Sequence, residues 1–454
     1  MQQILNWINR KIGIGGLALG MVCLSASFAG AARQYTLDEL YALALKRAER
    51  IEASREDLTV AQTQREVAKS ILIPKFSAIG GFRHYNQKEV SGDALLQPDW
   101  TGSYGLRLDQ SFTLNGKELI GLRLADDNIL LKTHDLATVT ESYLFEVATV
   151  YYNLARARMG VRIAEANVRR LTTNRDSVKV RLEVGTVTQT DLFRTEAELS
   201  SARAELVRVE NDLKLARAGL ARLVDLSEPP EIEVPEIDTK LPAAQEQLDR
   251  EELRRQALVN RSELSAAEAT LGITDKQIKL ARSDYWPSID LEAATLRFEQ
   301  DPVSERILDD STYVGANLTW MLYDGGLRRA QIAEARAVNR QAELQYRDLV
   351  KQVLLQVEDA FRQFSTQQNT LAALEDQLQF AEENYQAVTK QFENGLANSV
   401  DVVDANTLLV TAQQQLVDAV LGLHWTRLGI DRARGTLRDD VLLRLEQAPA
   451  KSPE

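Results

Sequence analysis

Three aspartates stand where short loops turn into helices. Asp191 follows Thr188, and Asp401 follows Asn398, at the three-residue spacing of a capping box. In that motif the cap side chain and the third-residue carboxylate satisfy each other's backbone N–H groups. A carboxylate in a first turn also suits the positive end of the helix macrodipole. Asp404 lies one turn further on, where capping has faded, and shares a helix face with Asp401. Such a pair offers fixed negative charge. Catalysis finds no support, because His84, His134 and His424 are scattered over a strand and two separate helices without metal-ligand spacing. No phosphate-cradling glycine loop or nucleophile elbow occurs, so neither enzyme chemistry nor a cofactor is expected.

The elements that carry these residues are duplicated. Val184-Gly185-Thr186-Val187-Thr188-Gln189-Thr190-Asp191-Leu192 and Asn394-Gly395-Leu396-Ala397-Asn398-Ser399-Val400-Asp401-Val402 share one plan of glycine, five residues and aspartate, 210 residues apart. Gly185 and Gly395 suit helix C-terminal caps, where glycine accepts a left-handed φ. Asp38-Glu39-Leu40 matches Glu251-Glu252-Leu253, and Pro74 matches Pro287, at an offset of 213. The chain is therefore a tandem duplication.

Each copy is the tip between two long heptad-patterned segments. Lys117 to Glu183 is one uninterrupted helix pattern, spanning ~100 Å at ~1.5 Å per residue. Val147, Val150, Leu154, Ala157 and Val161 recur at steps of three and four, as do Val350, Val353, Val357, Ala360 and Phe364 in the second half. Such heptads specify knobs-into-holes packing between long helices.

Between helices lie strand pairs. Trp100 to Leu114 alternates, with Trp100, Tyr104, Leu106, Leu108 and Phe112 on one face and Ser103, Arg107, Asp109 and Thr113 on the other. A soluble half-buried sheet gives the same alternation, but the aromatic ends favour a lipid-facing wall with a polar lumen. Trp286 to Phe298 and Thr312 to Tyr323 repeat the pair, with Glu299 to Ser311 as the loop, just as Asn86 to Asp99 is the polar loop of the first pair. Four strands cannot close a barrel, for which about eight are needed, and open edges in lipid leave backbone groups unpaired. Several chains must then share one barrel.

Asn6 to Arg10-Lys11, an apolar run to Phe28 and Ala29-Gly30-Ala31 form a secretory signal peptide, with an uncleaved anchor as the alternative. Cleavage near Ala31 removes Cys23, the one cysteine, and shifts the formal charge from −12 to −14 by removing Arg10 and Lys11. That acidity argues against nucleic acid as a partner. No later stretch has eighteen apolar residues in a row.

Leader, duplicated helix–strand–strand–long helix–tip–helix plan and the two glycine-to-aspartate tips together resemble the TolC-like outer-membrane efflux and secretion duct family, from about Tyr35 to Leu437. The fold class expected is mainly α with a β-barrel portion. The resemblance implies a homotrimer in which twelve strands form one outer-membrane barrel and twelve helices extend it as a hollow α-barrel into the periplasm. It implies as partners a periplasmic adaptor protein and an inner-membrane pump, together with outer-membrane lipid. The tips would close an iris-like gate, with Val184, Gly185, Thr186, Val187, Gly395 and Leu396 at the adaptor-docking surface. The run Val400 to Ala405 matches the family's pore-constriction motif, so Asp401 and Asp404 would ring the aperture and favour cations. The resemblance also implies an arginine just after the second tip glycine, tied to the first tip's aspartate, and a tyrosine shortly before that glycine. Ala397 and Phe392 stand there instead, and Arg194, which matches Asp404 in the first repeat, is offered as a substitute partner for Asp401 or Asp404. Asp191, Arg194 and Phe392 thus complete the expected gate.

The expected plan is a signal peptide at 1–31 and a first repeat at 32–226, with strand pair 75–114, long helix 117–183, tip 184–191 and helix 192–225. A linker at 227–250 joins it to a second repeat at 251–437, with strand pair 286–323, long helix 326–393, tip 394–401 and helix 402–437; 438–454 is a disordered tail. The function expected is a passive exit duct for tripartite efflux or type I secretion. The alternatives are a periplasmic adaptor, whose kind has one hairpin beside small β-rich domains, and a soluble coiled-coil scaffold.

Overall fold

The computed structural model describes residues 34–86, 89–91, 94–232, 249–301 and 309–447, so the expected leader and most of the expected linker lie outside them. After a two-residue strand β1 (Gln34–Tyr35), Thr36 opens α1 (Leu37–Arg47) through a capping box with Glu39. Ala48 is extended (ψ 111°) and begins α2 (Glu49–Ser70), so the single helix expected here is two. No glycine or proline marks the break. It lets Arg47 donate to the Asp225 carbonyl, 3.0 Å away at the end of a later helix.

Next come β2 (Lys75–His84), a small hairpin of β3 (Glu89–Ser91) and β4 (Ala94–Gln97) inside the expected loop, and β5 (Trp100–Thr113). Then follow α3 (Lys117–Glu183), α4 (Gln189–Leu223) and β6 (Glu231–Ile232), the last paired in parallel with β1. The second repeat runs α5 (Arg250–Asn260), α6 (Ser262–Ser283), β7 (Ser288–Asp301), β8 (Asp310–Thr319), α7 (Leu327–Glu393) and α8 (Ser399–Ala433). Its helices have the lengths of those in the first, 11, 22, 67 and 35 residues, so the duplication is kept turn by turn.

Several boundaries differ from expectation for physical reasons. Thr188 and Asn398 are the N-caps, so α4 and α8 begin at Gln189 and Ser399, before the aspartates rather than after them. α8 stops at Ala433, because Gly435 turns the chain with φ 77°. The expected tail instead holds α9 (Leu437–Gln447), whose Leu437 and Val441 are fully buried in a core with Leu40, Tyr41 and Leu144. β7 runs three residues beyond Phe298, and β8 ends at Thr319, leaving Trp320 to Tyr323 outside the sheet.

α3 and α7 are the two long rods. The N-terminal part of α3 packs against α2 and α6, with Arg65 on Asp126 and Lys276 on Asp127. Its C-terminal part packs against α4 and α8, where Leu171 meets Leu199 and Ala202 and Arg156 pairs with Asp418. α7 lies along α6 and then α8, burying Val353 and Val357 with Leu416, Val420 and Ile430.

The sheet order is β2-β5-β7-β8, antiparallel throughout. Phe76, Leu108, Ala293 and Val314 lie in one row across it, and Phe76 and Val314 are 70% and 84% exposed. The other face is polar and internally bonded, since Arg107 pairs with Asp109 and Glu292 while the Tyr313 hydroxyl donates to Glu292. Among the described residues, β2 and β8 each have a free edge.

Candidate gate at the paired hairpin tips

Each long helix ends in a Schellman turn. Gly185 (φ 77°) donates to the Leu182 carbonyl and Thr186 to Arg181; Gly395 (φ 74°) donates to Phe392 and Leu396 to Gln391. Only glycine takes this left-handed backbone without strain. Capping boxes then start the return helices. The Asp191 carboxylate accepts from the Thr188 N–H (2.9 Å) and hydroxyl (2.7 Å), and Asp401 accepts from the Asn398 N–H (3.0 Å).

Asp191 does more than cap its own helix. Its second oxygen accepts from the Ser399 hydroxyl at 3.1 Å, which ties the first tip to the second. The Thr188 hydroxyl and N–H, with the Ser399 hydroxyl adding to them, hold the Asp191 carboxyl below the usual carboxylate range. Asp401 and Asp404 are both exposed on α8. Arg194 is exposed as well, and it forms no ion pair with either of them within the chain.

Of the expected docking residues, Val184 and Leu396 are 70% and 81% exposed, beside exposed Gly185, Thr186 and Gly395. Val187 is half-buried against a small core of Val178, Phe392 and Val402. Phe392, expected at the constriction, is only 3% exposed and lines no open surface. An apolar ring between two helix ends is best satisfied by burial, so Phe392 positions the end of α7 instead.

Other contacts between the hairpins had no sequence expectation. The Arg181 guanidinium lies 4.5 Å from the Phe392 ring centre and donates to the Glu393 carbonyl at 2.8 Å. Higher up, Arg170 donates to Asn406 and Asn406 to Asn167, both at 2.7 Å. A basic residue in the last turn of α3 was the available signal for Arg181. Nothing in the heptads marks Ser399 or Asn406, which face a helix more than two hundred residues away. The histidines stay apart, with His424 stacked on Tyr152.

A sequence profile of the family described as Outer membrane efflux protein matches residues 40–225 and 253–436, once per repeat. Outer membrane protein TolC of Escherichia coli K12 is 23% identical over 327 residues, 69% of this chain and 65% of that protein, a little under two thirds of its length. Outer membrane efflux protein BepC of Brucella suis biovar 1 is 22% identical over 412 residues, 91% of this chain and 88% of that one. The crystal structure of the outer membrane protein VceC of Vibrio cholerae matches with a TM-score of 0.75 at 20% identity, over 88% of this chain and 96% of that one, and so shares the fold.

Proposed function

The chain belongs to the outer membrane efflux protein family, and from that premise we propose that it is an efflux exit duct of the outer membrane in which three copies pool their sheets and helices into one conduit. The sheet carries this reading. Its apolar face is exposed, its two edges are unpaired among the described residues, and four strands are too few to close. Pairing β8 of one copy with β2 of the next removes every edge, and three copies give twelve strands.

The helices continue the conduit into the periplasm, and the paired tips form its far end. There Asp401 and Asp404 of three copies place six carboxylates around the aperture and favour cations. Asp191 fixes the first tip beside them. Among the described residues Arg194 makes no ion pair with a carboxylate, so its pairing with Asp401 or Asp404 is assigned across the boundary between copies. Val184, Thr186 and Leu396, with the glycines and Val187 beside them, form the surface for a periplasmic adaptor linked to an inner-membrane pump, which supplies the energy.

The test is fractionation followed by electrophoresis with and without boiling. A heat-sensitive species of three chains in the outer-membrane fraction is expected. A monomer in the soluble periplasm would overturn the proposal.

A further inference from the structure

We propose that Arg181 is the latch that holds the second hairpin against the first, and so keeps the aperture narrow. The inference rests on the duct reading above and supplies what Ala397 and Phe392 leave missing. Arg181 sits in the last turn of α3, and its guanidinium meets two different features of the end of α7. One is the face of the Phe392 ring, whose negative quadrupole attracts a cation. The other is the carbonyl of Glu393, the last residue of α7.

That carbonyl is one of the four at a helix C-terminus with no intrahelical partner. The Schellman turn uses the carbonyls of Gln391 and Phe392, and Arg181 takes that of Glu393. The negative end of the helix macrodipole adds to the attraction. Among the described residues Arg181 makes no ion pair with a carboxylate, so its charge is directed wholly at the neighbouring hairpin. Moving α7 and α8 away from α3 would strip the ring of its cation, expose Phe392, and leave the carbonyl without a donor. Ser399 on Asp191 is a second, smaller tie at the same level.

The chemistry of the latch sets its behaviour. Both acceptors are neutral groups and an arginine does not lose its proton in proteins. The hold of Arg181 itself therefore does not depend on a titrating carboxylate, in the way an arginine–aspartate tie would.

The experiment is single-channel recording of the purified full-length mature protein in planar bilayers at pH 7 and pH 5, with the heat-sensitive oligomer checked for every variant. Wild type is expected to give a small conductance that is unchanged between the two pH values. Arg181→Ala should raise open-state occupancy about tenfold, and Phe392→Leu, which keeps apolar burial without a ring face, should raise it less. Arg181→Lys, which keeps the charge but not the planar fork, should fall between wild type and Arg181→Ala. Conductance of Arg181→Ala equal to that of wild type, in an intact oligomer, overturns the latch and leaves the duct standing. Wild-type opening on acidification as large as that caused by Arg181→Ala overturns it in favour of a carboxylate tie. A wild-type protein that conducts no ions overturns the duct itself, and the latch with it.

Discussion

Asp225 takes a left-handed backbone (φ 51°) two residues beyond α4, at the position where Gly435 (φ 77°) stands two residues beyond α8. The repeats share the turn but not the residue. Asp225 is strained there by about 1–2 kcal/mol, although its carbonyl is held by Arg47. At Gly435 a Cβ would meet the Asn260 carbonyl carbon and the Arg261 nitrogen at 2.9 Å, so no side chain fits.

Thermal unfolding in detergent should separate the two positions. Gly435→Ala is expected to destabilise by about 1–3 kcal/mol through overpacking against backbone, beyond the left-handed strain. Asp225→Gly should be neutral or stabilising by up to about 1 kcal/mol, strain relief being offset by the entropy of glycine. Equal losses at both positions would contradict the assignment.

The tips should fray when their caps are removed. Thr188→Ala and Asn398→Ala are each expected to cost about 1 kcal/mol, read as faster hydrogen exchange in the first turns of α4 and α8. The folded pKa of Asp191 is lowered, first by the Thr188 hydroxyl. Its contribution is present above the unfolded carboxylate pKa and is lost as pH falls through the folded value. Acid should therefore loosen the first tip of wild type but change little in Asp191→Asn.

Glu141 should act in the opposite sense. It is 5% exposed where α3 meets the ends of α6, α8 and α9, and one of its oxygens has no hydrogen-bond partner. Burial, and then the Glu263 carboxylate, push its pKa up to about 7 against the pull of Arg261, Arg432 and Arg438. With a folded value above the unfolded one, stability is full below the unfolded pKa and falls as pH rises through about 7. The loss is of the order of 3 kcal/mol. Glu141→Gln should flatten this part of the stability–pH curve, and an unchanged curve would show that another group titrates.

At the proposed aperture, Asp401→Asn and Asp404→Asn should each lower cation preference, measured as a reversal potential in a salt gradient, and the double variant should lower it most. Arg194→Ala should change the conductance if it pairs between copies. No change would remove it from the gate.

Periodicity made the long elements legible. The steps of three and four that continue through Val147, Leu154 and Val161 lie in a helix of 67 residues, and the alternation from Trp100 lies in β5. The recurring glycines made the tips legible, because the backbone at Gly185 and Gly395 is left-handed. What escaped was set by distant contacts. The breaks at Ala48 and Arg261 carry no glycine or proline. Arg261 is instead held by Glu263, Gln356 and the last carbonyls of α8. α9 was hidden by its shortness and by Gly435, which reads as an ending but here turns the chain back onto α1 and α3. Alignment of motifs places Phe392 on the open constriction, and only the packing of Val178 and Val402 around it shows that it is buried.

Copies of this chain, on the proposal above, share one ion-conducting conduit. This is tested most directly by recording current across a planar bilayer from a purified preparation whose mass is determined in the same detergent. A species of three chains that conducts is expected, with a preference for cations that Asp401→Asn and Asp404→Asn together lower. A preparation of single chains that never passes current, whatever the lipid or voltage, would contradict it.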